Sequence, residues 1–582
     1  MNRSLTLVLA GVCLLGVVSI SRAADWMGQG GDAGMTKYSS DNIVVGDLQQ
    51  VYKKRFYSKW TDWTESYGAY QYACDVMVRN GQAIVLTNDA PDTAGIYGPL
   101  FWTQFDWATG QTVYKSTMPG TPDGGANWFH GGENPAEIDT NHFNFPAVWA
   151  DDGRVYARRG GDQRCQGALT VATHSWQYLP SDKPITAWAG DAMAYITAYK
   201  GNVIYRPGHL GDAYNYAVGD ISAASWAAGI PGQSVYWAGN GEGLTYPTDM
   251  PKCGANKLIV CYDKTTYSPS YTSQTTVAAT DLTTHQLAWK KSFPTQDTYT
   301  GQGTDTLQYV ATEDGYYAMS YRTPTAQTIY VLNSSDGSER FTYQMGNKAE
   351  RPLMAYANGA LYVIGKNEQL KLDITDGHVI WRQTNAFVND ANYAYNDTTY
   401  RPMVLTNDSL WFVDRGNGTA GSDDRLIGIN TGSGAIFQTM DLTQLVGQTS
   451  TDQLIHVQDL VAANGKLGVF IDVKNTAGSH NTSNSIAYQD LYVFGLSLPG
   501  DADGNGKVDF NDYLTLRLNF GSTGMTWRDG DFNGDGVVTF KDYIILESHF
   551  GKDAATNVPE PATASLLLAG LGLLAGRRRA RA

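Results

Sequence analysis

Between residues 25 and 498 the apolar positions fall in short runs, and stretches of helical period are scarce. Tyr, Trp, Thr and Val recur in these runs, and Gly, Asn and Asp bound them. That is the texture of strands joined by tight turns. Gly153-Arg154-Val155-Tyr156-Ala157, Gly359-Ala360-Leu361-Tyr362-Val363, Ser409-Leu410-Trp411-Phe412-Val413 and Leu491-Tyr492-Val493-Phe494-Gly495 are four such strands. The pattern changes near residue 500. From Tyr513 and again from Tyr543, apolar residues recur at helical spacing, which predicts two short amphipathic helices (Leu514, Leu516, Leu518, Phe520; Ile544, Ile545, Leu546, Phe550).

The strand region is repetitive. A polar residue ends a strand, a Thr/Asp-Gly turn follows four residues on, and an aromatic comes eight residues on. Copies start at Asp106 (Gly110, Tyr114), Thr170 (His174, Tyr178), Asp281 (His285, Trp289), Asn333 (Gly337, Phe341), Asp373 (Gly377, Trp381) and Asn430 (Gly434, with Phe437). Their intervals are 64, 111, 52, 40 and 57 residues, and the longest fits two units, with a poor copy near Asp220 to Trp226. Hairpin units at periods of about 40–60 residues predict a β-propeller built of four-stranded sheets. The turn glycine supplies positive φ, and the aromatic packs between units. The expected fold class is mainly β: a seven- or eight-bladed propeller over residues 25–498, followed by a small α-helical domain over 499–552. The run Leu491 to Ser497 would pair with an N-terminal strand to close the ring. The competing architecture is an array of β-sandwiches.

The unit Val277-Ala278-Ala279-Thr280-Asp281-Leu282-Thr283-Thr284-His285-Gln286-Leu287-Ala288-Trp289-Lys290 resembles the repeat of pyrroloquinoline-quinone-type propellers, and the opening Trp26…Gly30-Gly31-Asp32 is similar to the start of such domains. Quinone dehydrogenases of that fold carry adjacent cysteines near the cofactor, and this chain has no Cys-Cys. The resemblance therefore implies the scaffold rather than the chemistry, because a fold does not fix a function.

The two predicted helices each follow an acidic loop. Asp501, Asp503, Asn505, Asp509 and Asp512 put oxygens at loop positions 1, 3, 5, 9 and 12, with Gly506 at the sharp turn and the Lys507 carbonyl at position 7. Asp531, Asn533, Asp535, Thr539 and Asp542 repeat the pattern, with Gly536 and the Val537 carbonyl. Calcium is a hard ion that takes six to eight oxygens at about 2.3–2.6 Å, and such a loop supplies them. Two calcium ions are expected as cofactors. The pair resembles a type I dockerin, which implies a cohesin-like partner. In that family the partner contacts follow the ligand triplet, at positions held here by Phe510-Asn511 and Phe540-Lys541 rather than by small hydroxyl pairs.

Both chain ends read as addresses. Arg3, the apolar run Leu5 to Ile20 and Ser21-Arg22-Ala23 form a secretory signal peptide over residues 1–23. Its run is shorter than the ~20 residues that span a bilayer. After a linker at 553–557, residues 558–582 combine Pro559-Glu560-Pro561, an apolar stretch from Ala564 to Gly576, and Arg577-Arg578-Arg579. The three parts in that order resemble the PEP-CTERM signal. The resemblance implies transient membrane association through the tail, processing by an exosortase-type enzyme, and an extracellular or cell-surface destination in a Gram-negative-type bacterium.

Composition narrows the functional classes. The formal charge is −15 and the isoelectric point about 5.0, which disfavours nucleic acid and anionic lipid as partners. Four cysteines outlast the signal peptide (Cys74, Cys165, Cys253 and Cys261), enough for two disulfides in three connectivities. Cys253 and Cys261 flank the turn Gly254-Ala255-Asn256, so a bond across a hairpin is one option. His130, Glu133, Asp139 and His142 form the most ligand-like cluster in the body, and Asp423-Asp424 are candidate carboxylates for glycoside hydrolysis. Tyr67, Tyr70 and Tyr72, like Tyr393, Tyr395 and Tyr400, suit sugar stacking or packing between units. The sequence selects no acid–base pair and holds no nucleophile elbow, His-Glu-x-x-His or phosphate loop. The expected function is a non-enzymatic binding or scaffold protein. A polysaccharide-directed hydrolase or carbohydrate-binding component is the alternative, and a quinoprotein oxidoreductase comes third.

Overall fold

The computed structural model describes residues 25–27, 31–41, 43, 48–56, 76–88, 100–117, 147–158, 166–178, 196–205, 216–220, 233–235, 245–247, 252–266, 272–284, 286–293, 309–322, 327–346, 352–387, 402–414, 425–447, 453–475, 485–496, 499–502, 507–523, 525, 529–532 and 537–552. Eight antiparallel sheets lie among them. Seven take their strands in sequence order. Their first strands are Val76–Arg79, Ala147–Trp149, Ile196–Tyr199, Thr245–Pro247 (with Lys252–Gly254 on the same neighbour), Tyr309–Ala311, Leu353–Ala357 and Met403–Leu405. The third sheet ends on Tyr216–Asp220 and Gln233–Val235, so the 111-residue interval does contain a further unit.

Burial follows position within a sheet. In the sixth sheet Leu353–Ala357 and the next strand, Ala360–Ile364, are buried at every residue, whereas the fourth strand, Val379–Gln383, buries only Trp381. Continuous apolar runs thus take the inner places, covered on both faces, and polar-rich strands take the rim. From the first sheet to the third and from the fourth to the eighth, the leading strands of successive sheets lie side by side in chain order, and that of the eighth lies against that of the first. Between the third and fourth sheets, Tyr199 Oη accepts from the Asn256 amide at 2.9 Å. The order is circular, which is the architecture of a β-propeller and not of stacked sandwiches.

The eighth sheet closes the circle with strands from both ends of the body. Gln453–Ala463, Lys466–Asn475 and Ser485–Leu496 are followed by Leu48–Phe56, which pairs Leu48 with Leu496 and Phe56 with Gln489. The closing strand foreseen at Leu491 is therefore right. Its buried Asp490 binds the Arg55 guanidinium through both oxygens at 2.8 Å, and Lys53 Nζ at 2.7 Å.

The repeated aromatic finds its purpose between sheets. Trp289 lies over Gly337 of the next unit and donates Nε1–H to the Ser334 carbonyl at 2.8 Å; Trp381 treats Gly434 and Thr431 likewise at 3.0 Å. Phe341 covers Gly377, and Tyr52 covers Gly110. A Cβ on Gly337 would sit 2.5 Å from the Trp289 ring, and φ there is +70°. Both facts demand glycine. In the second unit His174, φ +55°, takes the glycine place and stacks on Tyr114 with ring centroids 3.8 Å apart. We expect Trp289→Ala to cost about 3–5 kcal/mol, as large aromatic deletions from cores do. A fall in the denaturant midpoint checks this, and a midpoint within error of the parent would remove the aromatic from the packing account.

Cys253 and Cys261 are not bonded to each other. Register explains why: Leu258 stands opposite Cys253, so Cys261 lies three residues up the strand and on its other face. Cys253 is a buried free thiol, and burial and the nearby Glu313 push it above the usual thiol range. Cys74 and Cys165 lie outside the described residues.

Candidate metal centre

The C-terminal helices form where the sequence places them, over Phe510–Leu518 and Phe540–His549. Each begins with a capping box. Asp509 caps the first helix, and Asp512 answers by accepting from the Asp509 amide at 2.7 Å; Thr539 and Asp542 do the same for the second at 2.8 Å. A side-chain oxygen at the cap and a carboxylate three residues on satisfy amides that have no partner within the helix.

The two halves are reciprocal. The Gly551 amide bonds the Val508 carbonyl at 2.8 Å and the Val508 amide bonds Lys552; in the other half Gly521 bonds Val538 at 2.8 Å and Val538 bonds Ser522. Ala502, Val508 and Leu516 pack with Phe532, Val538 and Leu546 into one small core. Gly500 faces Leu546 and Gly530 faces Leu516, each with positive φ and no room for a Cβ.

The expected ligands fall into two groups. Asp501, Lys507, Asp509 and Asp512 in the first loop, and Asp531, Val537, Thr539 and Asp542 in the second, are described. Asp503, Asn505, Asn533 and Asp535 lie outside the described residues. Asp501, Asp512, Asp531 and Asp542 are all buried, at 1, 0, 3 and 0% exposure. Two like-charged carboxylates withdrawn from water in each loop are costly unless a cation or strong donors offset them. Asp512 accepts from the Ala502 amide at 2.7 Å through one oxygen and from the Asp509 amide through the other. A donor set made only of oxygens, with paired buried carboxylates, fits a hard divalent ion.

Of the other sequence candidates, His130, Glu133, Asp139, His142, Asp423 and Asp424 lie outside the described residues, as do Tyr67, Tyr70, Tyr72, Tyr393, Tyr395, Tyr400 and the sorting residues Pro559, Glu560 and Pro561. Asp373, Asp376 and His378 bring their ligand atoms within 4.8 Å of one another. They sit in a repeat hairpin, where Asp373 accepts from the Thr375 amide at 2.8 Å and Asp376 from the His378 amide at 3.0 Å. The Asn430 turn, which has no histidine, bonds its own amides in the same way, so turn formation accounts for the cluster.

One feature escaped sequence reasoning. At the end of the ring where the first and second strands turn, a cavity of about 240 Å³ is lined by Asp32, Tyr199, Lys200, Cys253 and Glu313 among others. Burial raises Asp32 above the usual carboxylate range, against the donors of Thr36 and Gly34. The opening Gly30-Gly31-Asp32 was the available signal, but the other lining residues come from four different sheets.

A closed ring of sheets with a short duplicated helix pair defines a β-propeller protein bearing a C-terminal appendage. Residues 557–581 match the PEP-CTERM protein-sorting motif, which marks an exported protein handled by an exosortase-type enzyme and destined for the surface of a Gram-negative-type bacterium. No curated protein matches the sequence. Among solved structures the chain is similar to a quinohemoprotein alcohol dehydrogenase from Comamonas testosteroni (12% identity, 81% of each chain, TM-score 0.47) and to a europium-containing methanol dehydrogenase (10% identity, 81% of this chain and 98% of that one, TM-score 0.47). It is also similar to BamB from Moraxella catarrhalis (10% identity, 77% of this chain and all of that one, TM-score 0.39). No activity is carried over from these proteins.

Proposed function

We propose that this is an exported binding or scaffold protein: an eight-bladed propeller that presents a dockerin-like segment holding two calcium ions. A sorting tail holds it at the membrane for a time before an exosortase-type enzyme acts on it. Asp501, Asp503, Asn505, Asp509 and Asp512 with the Lys507 carbonyl would hold one ion; Asp531, Asn533, Asp535, Thr539 and Asp542 with the Val537 carbonyl would hold the other. Calcium supplies charge neutralisation and cross-linking there, while the chain's own capping boxes aim the loop carboxylates. The observation that carries this reading is the reciprocity of the two loop–helix halves, each closing on a pair of buried carboxylates. Calorimetric titration of the chelated, full-length protein should give two equivalents of calcium, and no uptake at millimolar calcium would end the proposal.

The partner is expected on the helix pair. Phe510, Leu514, Phe540 and Ile544 are exposed, and the rings of Phe510, Tyr513, Tyr543 and Phe540 form an unbroken row with centroids 5.7, 6.4 and 5.5 Å apart. Exposed aromatics at the centre of such a patch support a protein partner of the cohesin-like kind. Replacing Phe510 and Phe540 by alanine should weaken partner capture at least about tenfold, a loss of ~1.4 kcal/mol, with calcium uptake unchanged. Equal capture by the double variant would move the docking face elsewhere. A glycan array decides the alternatives: bound but intact polysaccharide supports the binding module, and released oligosaccharide supports a hydrolase.

A further inference from the structure

The cavity of about 240 Å³ is walled by residues of four sheets and by the segment that carries Asp32. Small apolar groups line much of it, Ala150, Ala198 and Ala311 among them, and the buried Cys253 lies on its floor. The side chains of Asp151 and Glu313 are 72 and 57% exposed, and they mark its mouth. Each of these two carboxylates already has a cation. Arg79 Nη2 donates to Asp151 at 2.6 Å, and Lys200 Nζ to Glu313 at 2.8 Å. Asp32 differs. Its Oδ1 accepts from the amides of Gly34 and Thr36, both at 3.0 Å, and its Oδ2 from the Thr36 hydroxyl. Among the described residues no cation forms an ion pair with it, and three neutral donors against about four acceptor sites leave one open.

From this arrangement we infer that the cavity binds a small organic cation, a primary ammonium on a short apolar body, with Asp32 as its counter-ion. Charge decides the sign of the ligand. A carboxylate withdrawn from water without a cation is costly, and neutral donors offset only part of that cost. Burial accordingly raises Asp32 above the usual carboxylate range, and the Glu313 carboxylate adds to this. An ammonium at the open acceptor site would remove that penalty. Tyr199 supplies a second contact, because its ring face already takes a cation: Lys200 Nζ lies 4.9 Å from the centroid. Lys200 is therefore a resident competitor at the mouth, tethered to the chain. Size and lining decide the rest. A metal ion needs ligand atoms drawn close together, and the one such cluster among the described residues is Asp373, Asp376 and His378, which lies elsewhere. The cavity instead has room for several heavy atoms, and its alanine walls suit an alkyl chain. This gives the ring a ligand of its own, and it rests neither on the calcium loops nor on the sorting tail.

Calorimetric titration of the full-length protein with butylammonium chloride tests this, with 1-butanol and butyrate as neutral and anionic isosteres. Butylammonium should bind at a single site with a dissociation constant of about 1 mM or below, and both isosteres at least about tenfold more weakly. Asp32→Asn keeps an acceptor for the two amides and loses the charge, so it should weaken butylammonium about tenfold or more. Lys200→Gln alters an exposed side chain and removes the resident cation, so it should tighten butylammonium several-fold. No saturable binding up to about 10 mM, equal binding of 1-butanol, or an affinity indifferent to both substitutions overturns the inference. Should Asp32→Asn fail to fold, Lys200→Gln decides: tighter binding supports the cavity, and equal or weaker binding overturns it. The calcium titration is run separately on the same protein. A failure there leaves this inference standing, and a failure of butylammonium to bind leaves the calcium reading untouched.

Discussion

Replacing Lys53 and Arg55 together by alanine should open the ring and lower stability by about 3 kcal/mol, the low end of the cost of stranding a buried charge. Asp490 is fully buried on the last body strand, and its two cations come from the first, so this cluster joins chain segments 435 positions apart. The low end applies because Lys53 and Arg55 are about one-third exposed and water screens part of the attraction. The acid dependence is a second handle. Burial by itself would raise Asp490, but the bonds from Arg55 and Lys53 outweigh it and hold the group below the usual carboxylate range. A carboxylate depressed in the folded state stabilises above its unfolded value, near 3.9, and that contribution is lost as pH falls through the folded value. The parent should therefore lose stability on acidification below about pH 4 more steeply than the double variant. Matching denaturant midpoints for the two proteins at neutral pH, or parallel profiles into acid, would show that closure does not depend on these charges.

Chelation is expected to unfold the helix pair and spare the ring. Each calcium site filled at a hundredfold excess over its dissociation constant contributes about 2.7 kcal/mol, so two sites contribute about 5 kcal/mol. The small core of Ala502, Val508, Leu516, Phe532, Val538 and Leu546 cannot replace that, because a segment of this size buries too little surface to stand without a staple. Without bound ions, each loop would keep two buried carboxylates, Asp501 and Asp512 in one and Asp531 and Asp542 in the other, at the cost of withdrawing like charges from water. In EDTA the helical part of the far-ultraviolet circular dichroism should vanish, and protease should cut between residues 499 and 552 while the body survives. A spectrum and digest indifferent to EDTA would detach calcium from the fold of this segment.

What the sequence by itself determined is local. The turn at Asn333…Gly337 and the aromatic Phe341 are read within nine residues, because turn chemistry and strand alternation depend on near neighbours. For the same reason both C-terminal helices were legible from their apolar spacing, whereas the capping boxes that start them were seen only in the structure. The Cys253–Cys261 option failed on register, which fixes the residues opposite each other and is invisible to a count of cysteines. Only the tertiary structure decided that Trp289 would cover Gly337 of the following unit, that Leu48–Phe56 would find Ser485–Leu496, and that Trp26 would exchange backbone bonds with Val78. Those contacts join residues tens to hundreds of positions apart, and their partners are set by the circular order of the sheets, which no single stretch of chain encodes.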